Sequence, residues 1–353
     1  MFRSFFGNRK WMWWSVLGTL LIIGVTWYKV QLTVELNAWY GDFYDYIQKI
    51  LTKPGSSSQT EFFSKVLVFA KIAGIFVGVA VLLEYFVKHW VFRWRTAMTD
   101  FYSANWPKVR HIEGASQRVQ DDTYRFAKIT EALGISFLRS IMTLVAFLPI
   151  LWTLSAKVPD LPFFGAVSQS LVWTALMSAI FGTVLLASVG VKLPGLEFNN
   201  QRVEAAYRKE LVLGEDDPTR ASPPTLADIW VRVRENHFRL FFHYAYFDVA
   251  RYFYLQYSGL IPLIAMSPGL LAGTITLGLM QQISNVFERV ESSFQYLVNS
   301  WPTIVELISI YKRLKAFENE IKNSSDGSDA GGVASAASVT GVANPALDSS
   351  API

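Results

Sequence analysis

Several common kinds of functional site are missing from this sequence. It contains no cysteine, which excludes disulfides, thiolate metal sites and cysteine nucleophiles. No glycine is followed by lysine anywhere, so the phosphate-binding loop of ATPases, G-x-x-x-x-G-K-[ST], is absent from these residues. The four histidines do not have zinc-site spacing, and no H-E-x-x-H or G-x-S-x-G motif occurs. We therefore expect no metal, no cofactor and no enzymatic activity.

Charged residues are also scarce. They make up 17% of the chain, against roughly 25% in soluble domains. Hydrophobic residues reach 52%, and several apolar runs approach or exceed the roughly 18 residues of a membrane span. The net charge of +4 gives no reason to expect a nucleic-acid partner. The sequence predicts an all-α, multi-span membrane protein that contacts lipids directly.

The apolar runs predict six transmembrane helices. They lie at about 11–34, 62–87, 133–154, 168–191, 240–265 and 270–287. Lysine and arginine are concentrated in the segments after spans 2, 4 and 6, which places those segments and both termini in the cytoplasm of a bacterial cell, at the inner membrane. Residues 1–322 are predicted to form one transmembrane domain. The Ser-, Gly- and Ala-rich tail, 323–353, is predicted to be disordered.

The connections between spans carry further expectations. A polar outer loop containing Asp42 and Asp45 is expected after span 1, and a tight turn at Ser267–Gly269 between spans 5 and 6. The segment from Glu84 to Glu131 is polar, basic and rich in helix-forming residues. It predicts two membrane helices that continue as long cytoplasmic extensions and turn near residues 107–114.

A heptad-like pattern follows span 6. Large apolar residues alternate spacings of three and four, at Phe287, Val290, Phe294, Leu297, Trp301, Ile304, Ile308 and Tyr311. Such a seam indicates a helix packed against another helix, either in the same subunit or in a second copy. The seam alone does not decide between these two packing partners. Pro302 lies inside the seam and is expected to kink it.

Acidic residues recur at the predicted inner ends of the spans. They are Glu84 at span 2, Glu131 at span 3, Glu204 below span 4, and Glu288 and Glu291 at span 6. Each alone is explained by a solvated or ion-paired group at a helix end. As a set they suggest half-buried carboxylates with raised pKa values, able to take up and release protons.

A second cluster lies at the predicted outer end of span 1. Aromatic and acidic side chains occur together there, which suits a cationic, amphipathic ligand, although aromatic residues more often serve packing. The candidates for a substrate cavity are Glu35, Trp39, Tyr40, Tyr44 and Asp45.

Long motifs across the chain carry a family resemblance. They are FRWRTAM, ANWPKVRHIEGASQRVQDDTYRFA, GVKLPGLEFNNQRVEAAYRKELVLGEDD, TRASPPT and FQYLVNSWPTIVELISIYKRLKAFE. Together they resemble the SbmA/BacA peptide transporters of bacterial inner membranes, from about residue 14 to residue 317. The same stretches look like a diluted ABC-exporter membrane domain. The resemblance implies such a domain without an ATPase of its own, working as a domain-swapped homodimer.

The resemblance also implies a function and its residues. Members of this family import peptides, including antimicrobial peptides and peptide-like antibiotics, by alternating access driven by the proton gradient. Family glutamates implicated in proton coupling match Glu131, Glu204 and Glu215, and Asp121 fills a neighbouring acidic position. The matching motifs place four arginines on the helical arms: Arg93, Arg95, Arg118 and Arg202.

Two alternatives stay open. In the first alternative, the chain is the membrane subunit of an ABC transporter whose ATPase is a separate protein. That ATPase would dock on the turns at residues 105–123 and 214–224. In the second alternative, the chain is a membrane protein that affects envelope lipids, and the entry of peptides is a side effect of that role.

Overall fold

The computed structural model describes residues 1–112, 115–162 and 165–336. Within these residues the protein is almost entirely helical, with one antiparallel pair of two-residue strands, β1 (Asp160–Leu161) and β2 (Gly165–Ala166). This confirms the predicted all-α class. The described helices run in chain order as α1 Phe2–Phe6, α2 Gly18–Thr52, α3 Gln59–Ala104, α4 Trp106–Val109, α5 Ala115–Gln117, α6 Thr123–Ser155, α7 Ser170–Gly190, α8 Leu193–Asp216, α9 Pro223–Ser258, α10 Ile261–Leu271, α11 Leu277–Phe294, α12 Tyr296–Asn299 and α13 Trp301–Ala336.

Four helical stretches of the described chain are long and apolar enough to cross a membrane. They are Trp13–Thr52, Gln59–Ala104, Ala115–Ser155 and Ser170–Gly190, and they overlap the first four predicted spans. Two of them begin with or include π-helical segments, at Trp13–Leu17 and Arg118–Asp122. The protein is therefore a multi-pass membrane protein. A total of six spans stays a prediction, for which α9, α10 and α11 supply the helices.

The long extensions of the membrane helices are present. Helix α3 continues without a break to Ala104, and α6 begins at Thr123. The predicted turn between them contains the short helix α4, and its last two residues, Glu113 and Gly114, lie outside the described residues.

The expected loop after span 1 was wrong at its start. Helix α2 continues through Asp42 and Asp45 and ends at Thr52. No proline interrupts the chain before Pro54, and Gly55 then adopts a φ of +83°. The ring of Trp39 also stacks on that of Phe43 at 4.5 Å between centroids. Aromatic packing thus favours a helix around Asp42 and Asp45, where these polar residues had indicated a loop.

The turn expected at Ser267–Gly269 was also wrong, because α10 continues to Leu271. Pro268 has no N–H to donate to the carbonyl of Ile264, and the hydroxyl of Ser267 donates to that carbonyl instead, at 2.8 Å. The helix ends in a Schellman motif at Gly273, whose φ is +70°. In this motif the N–H groups of Gly273 and Thr274 donate to the carbonyls of Leu270 and Gly269.

The heptad-like seam is not continuous. Phe287 and Val290 are buried on α11, but that helix ends at Phe294 and α13 begins at Trp301. On α13, Trp301, Ile308 and Tyr311 of the seam are exposed. The buried stripe of α13 is instead Ile310, Leu314, Phe317 and Ile321. Pro302 is the second residue of α13, where proline is tolerated.

The chain divides into two compact units. The first comprises Met1–Val16, Trp90–Ile129 and the chain from Leu307 onward. Its core is aromatic, with Trp94, Tyr102, Phe126 and Phe317 buried. The carboxylate of Asp122, which is 1% exposed, accepts two hydrogen bonds from the guanidinium of Arg313, at 2.9 and 2.8 Å. Residues 337–353 lie outside the described residues, and disorder of the tail stays a prediction.

The second unit comprises Leu17–His89 and Thr130–Glu306. Helix α11 lies at its centre, with Ile283, Val286, Phe287 and Val290 buried. Side chains of α2, α6, α7 and α10 complete the same core. This arrangement follows from the sequence of α11, whose apolar residues repeat every three or four positions along one face.

Candidate functional site

Helices α8 and α9 form an antiparallel hairpin in the second unit. Polar and aromatic side chains pair along its length. The amides of Asn236 and Asn200 are 3.2 Å apart, and the rings of Trp230 and Tyr207 are 5.4 Å apart. Residues later in α8 pair with residues earlier in α9, as the antiparallel direction requires. The two helices are therefore held together by side-chain hydrogen bonds and ring contacts, together with a small apolar cluster of Leu193, Leu196 and Leu240.

The turn of this hairpin is stabilised by Glu210. Its carboxylate accepts hydrogen bonds from the guanidinium of Arg220, at 3.2 and 2.8 Å, and from the N–H of Ala221 at 3.1 Å. Ala221 has a φ of +52°, a left-handed conformation that non-glycine residues seldom adopt. A Cβ on Gly214 would lie 2.3 Å from the Cβ of Ala221, so the turn needs glycine there.

Two carboxyl groups of this turn have perturbed acidity. The Arg220 guanidinium lowers the pKa of Glu210, and the backbone N–H of Ala221 adds to the effect. The hydroxyl and N–H of Thr219 lower the pKa of Asp217. Both groups stay ionised at neutral pH, which suits a structural turn and argues against either as a proton carrier.

Glu204 lies one and a half turns from Glu210 on α8 and has a different partner. Its Oε1 is 2.9 Å from Nε2 of His237 on α9. Both side chains are partly exposed, 43% for Glu204 and 32% for His237. Imidazole can bind a proton, so one added proton can convert the hydrogen bond between a carboxylate and a neutral imidazole into an ion pair. Of the predicted proton-coupling residues, Glu204 thus has an imidazole as its hydrogen-bond partner.

The other three predicted proton-coupling residues have different surroundings. Glu131 is half-buried on α6, and Glu215 is exposed near the end of α8. Asp121, in the first unit, is exposed and lies 3.9 Å from Arg125 one helical turn away. The second unit places Glu204 and Glu215 on one helix and Glu131 on another.

The predicted substrate-cavity residues all lie on α2. Trp39 donates its indole N–H to the carbonyl of Lys65 at 2.9 Å, and its ring lies 4.8 Å from Phe69 on α3. This contact assigns Trp39 to helix packing. Tyr40 and Tyr44 are half-buried, and Glu35 and Asp45 are exposed.

Asp45 has a structural contact that the sequence did not indicate. Its carboxylate accepts the N–H of Gly278, the second residue of α11, at 2.9 Å. The amide oxygen of Gln48 accepts the N–H of Leu277 at 2.7 Å. Asp45 therefore caps a helix of the core, in keeping with the preference of helix N-termini for negative charge.

The four predicted arm arginines are partly or fully exposed. In the first unit, the guanidinium of Arg93 lies 3.7 Å from the centre of the Trp14 ring, and that of Arg118 lies 5.5 Å from Phe317. Arg95 donates to the carbonyl of Gln120 at 3.2 Å. These contacts join separate segments of the arms. Arg202 is exposed on α8.

Sequence reasoning missed His237 as the partner of Glu204. The residues are 33 positions apart, and the available signal was the short polar turn between them, which predicts that two helices fold back on each other. No group of three or more histidine, aspartate and glutamate side chains in the described part of the chain is arranged to hold a metal ion.

The long apolar helices define a multi-pass helical membrane protein. The chain belongs to the SbmA/BacA-like family, whose model matches residues 8–322.

Curated relatives are similar over most of the chain. It is 25% identical over 328 residues to the inner membrane ABC transporter ATP-binding protein YddA of Escherichia coli strain K12, covering 86% of this chain and 57% of the relative. It is 23% identical over 339 residues to the ABC transporter ATP-binding protein sll0182 of Synechocystis, covering 90% of this chain and 48% of the relative. The chain thus spans about half the length of these relatives.

Proposed function

We propose that this protein is a secondary transporter that imports peptides across the bacterial inner membrane, driven by the proton gradient. The observation that carries the proposal is the contact between Glu204 and His237. It joins a carboxylate at a family position to an imidazole, a side chain that can bind and release a proton. Membership of a transporter family and the several apolar helices support the same conclusion.

In the proposed cycle, the pair binds a proton in one conformation and releases it in another. With the proton bound, His237 is positive and its attraction to Glu204 holds α8 against α9. Without it, a hydrogen bond between the carboxylate and a neutral imidazole remains, and the hairpin can rearrange more easily. Because a ligand shifts an equilibrium only by its different affinity for the two states, the proton gradient makes the alternation directional. Glu131, Glu215 and Asp121 are proposed as further groups in proton transfer.

The proposed substrates are cationic, amphipathic peptides, including antimicrobial peptides and peptide-like antibiotics. The exposed carboxylate of Glu35 and the half-buried rings of Tyr40 and Tyr44 offer charge attraction and cation–π contact. We propose a homodimer with both termini in the cytoplasm, since the segments richest in lysine and arginine then lie on the cytoplasmic side.

The test is uptake of a labelled cationic peptide into proteoliposomes with an imposed pH gradient. The parent protein is expected to accumulate peptide only when the gradient is present. Glu204→Gln and His237→Gln are each expected to lower this accumulation about tenfold, the size of a typical coupling between linked sites. Glu235→Gln, which changes an exposed carboxylate two residues before His237 on α9 and on a different face of the helix, is the matched control. Accumulation that does not respond to the gradient would refute proton-driven transport.

A second function has a specific observation in its favour. The relatives named above are called ATP-binding proteins, and this chain matches only part of each. In that case the chain is the membrane part of an ABC transporter. Peptide accumulation would then need ATP and an ATPase partner, and would persist in a vesicle without a pH gradient. A third candidate, an effect on envelope lipids, predicts neither form of peptide accumulation.

A further inference from the structure

A carboxyl group lies buried in the second unit, and it makes no ion pair with a basic side chain of the described residues. Glu291 on α11 is 6% exposed. Its Oε1 accepts hydrogen bonds from the hydroxyl of Tyr254 on α9, at 2.7 Å, and from the hydroxyl of Ser178 on α7. Gln295, at the end of α11, donates its amide N–H to the same tyrosine hydroxyl. Three helices therefore meet at one acidic side chain.

The packing shows that this meeting point is built for Tyr254. A Cβ on Gly182 of α7 would lie 2.2 Å from the tyrosine ring, so only glycine leaves room for the ring. The Tyr254 hydroxyl also lies 3.2 Å from the carbonyl oxygen of Ser178. Tyr254, Ser178 and Gln295 are all at least nine-tenths buried, and their polar groups are directed at one another and at Glu291.

The charged and titratable groups near Glu291 do not neutralise it within the described structure. Helix α7 carries no charged residue. From α9 the hydroxyl of Tyr254 contacts Glu291, and Arg251, one turn earlier on α9, is exposed. On α11 the neighbours are Glu288, which is exposed, and Arg289. The guanidinium of Arg289 lies 5.7 Å from the ring centre of Phe147 on α6. On α2, the carboxylate of Asp45 contacts the N-terminal end of α11, which is the end opposite Glu291. On α12, the hydroxyl of Tyr296 donates its hydrogen bond to the carbonyl of Leu133.

A buried carboxylate with only neutral donors is costly to ionise. Burial favours the uncharged form, and hydroxyl donors offset only part of the lost hydration. Both hydroxyls reach Oε1, which leaves Oε2 to carry a proton. When the proton leaves for water, the acidic O–H bond breaks and a negative charge remains among three packed helices. That charge is stabilised by letting water in, which requires α11 to move away from α7 and α9.

We propose that Glu291 is a further proton-binding residue of the transport cycle, and that release of its proton opens the contact of α11 with α7 and α9. This inference rests on the proposed proton-driven transport. It assigns Glu291 a role separate from that of the Glu204–His237 pair, which is partly exposed on the α8–α9 hairpin. The ligand is a single proton. When it is bound to Glu291, α11 stays in contact with α7 and α9 through the hydroxyl and amide groups around this residue.

The first test is transport by variants in proteoliposomes. Glu291→Gln keeps the shape and mimics the protonated acid, so we expect gradient-driven peptide accumulation to fall about tenfold. Exchange of labelled for unlabelled peptide without a gradient is expected to stay within about twofold. Glu288→Gln, one turn away on the same helix and exposed, is the matched control and should transport like the parent. Tyr254→Phe removes one hydroxyl donor and should shift the pH at which accumulation is half-maximal.

The second test does not depend on transport. Infrared difference spectra of the reconstituted protein, recorded during a pH titration, report the C=O stretch of protonated carboxylic acids. We expect a protonated-acid band that Glu291→Gln removes and Glu288→Gln leaves in place. If the parent transports with the gradient but Glu291→Gln changes neither accumulation nor this band, the role of Glu291 is wrong. If the parent ignores the gradient, the proposed function fails, and the band then shows separately whether Glu291 holds a proton.

Discussion

The backbone N–H of Gly278 donates a hydrogen bond to Oδ1 of Asp45, with 2.9 Å between the two atoms. The contact joins the first helical turn of α11 to α2, and the backbones approach closely there. A Cβ on Gly278 would lie 2.0 Å from the carbonyl oxygen of Gly41 and 2.5 Å from Oδ1 of Asp45. Since α11 is at the centre of the second unit, this crossing sets the position of the core.

Gly278→Ala is therefore expected to destabilise the protein strongly. The new methyl group would overlap backbone, which cannot move aside as a flexible side chain can. Overpacking of this kind costs about 1–3 kcal/mol or more, and here the capping hydrogen bond is lost as well. The measurement is the thermal unfolding midpoint of the purified protein in detergent.

The matched control is Gly74→Ala on α3. A Cβ at this position meets no described atom within 4 Å. Alanine is favoured over glycine inside a helix by roughly 0.5–1 kcal/mol, so this variant should be as stable as the parent or slightly more stable. Equal destabilisation by the two substitutions would show that the α2–α11 crossing is not as tight as described.

Asp45→Ala separates two roles for this residue. As a cap of α11 it should lower stability by about 0.5–2 kcal/mol, the usual effect of losing a capping side chain. As a substrate-cavity residue it should lower peptide uptake with an unchanged unfolding midpoint. Asp42→Ala, an exposed carboxylate one turn earlier on α2, is the control for removing negative charge. We expect Asp45→Ala alone to lower the midpoint.

The bounds of α7 could be predicted from the sequence, whereas the hydrogen-bond partner of Asp45 could not. Span 4 was expected at 168–191, and α7 runs from Ser170 to Gly190, because a long apolar run with polar ends is a local property. The partner of Asp45 is 233 residues away. An apolar stripe predicts that a helix face is buried, but it does not identify the helix that covers it.

The same distinction holds for the candidate site. Glu204 was selected from a motif, and Glu291 was noted only as one acidic residue among several. Their different surroundings depend on His237 and on Tyr254, which lie on α9. Burial and hydrogen-bond partners decide which carboxyl group holds a proton, and both depend on tertiary packing.

In the first unit the buried carboxylate of Asp122 makes an ion pair with Arg313, which allows a direct test of charge burial. Asp122 is 1% exposed, whereas the side chain of Arg313 is 41% exposed. Arg313→Met leaves a buried carboxylate without its guanidinium, and should cost roughly 3 kcal/mol of stability, as for other broken buried pairs. The measurement is again the thermal unfolding midpoint.

The double variant Asp122→Asn/Arg313→Met is the informative control for that pair. It removes both charges, so it should be more stable than Arg313→Met alone. An exposed pair, Asp121 with Arg125 at 3.9 Å, should contribute only about 0–1 kcal/mol, and Asp121→Asn is expected to unfold close to the parent. A double variant that is as unstable as the sum of its two single variants would contradict the ion-pair account.

The turn of the α8–α9 hairpin should respond to pH through Glu210. The Arg220 guanidinium lowers the pKa of this carboxyl below its ordinary value of 4.5. A group whose pKa is lowered by folding stabilises the folded turn above its ordinary pKa, and this contribution is lost as the pH falls through the lowered value. Arg220→Met removes the cause, so the turn should open more readily than in the parent at neutral pH, and the difference should shrink under acid conditions.

Hydrogen exchange of the Ala221 amide measures this directly, because that N–H donates to the Glu210 carboxylate at 3.1 Å. At pH 7 its protection should fall in Arg220→Met. Well below the ordinary pKa of 4.5, protection in the parent and in the variant should converge, once each rate is divided by that of an unstructured peptide at the same pH. Arg232→Met, an exposed arginine on α9, should leave the amide protected as in the parent. A loss of protection that is the same at both pH values would mean that Arg220 acts through packing and not through the charge of Glu210.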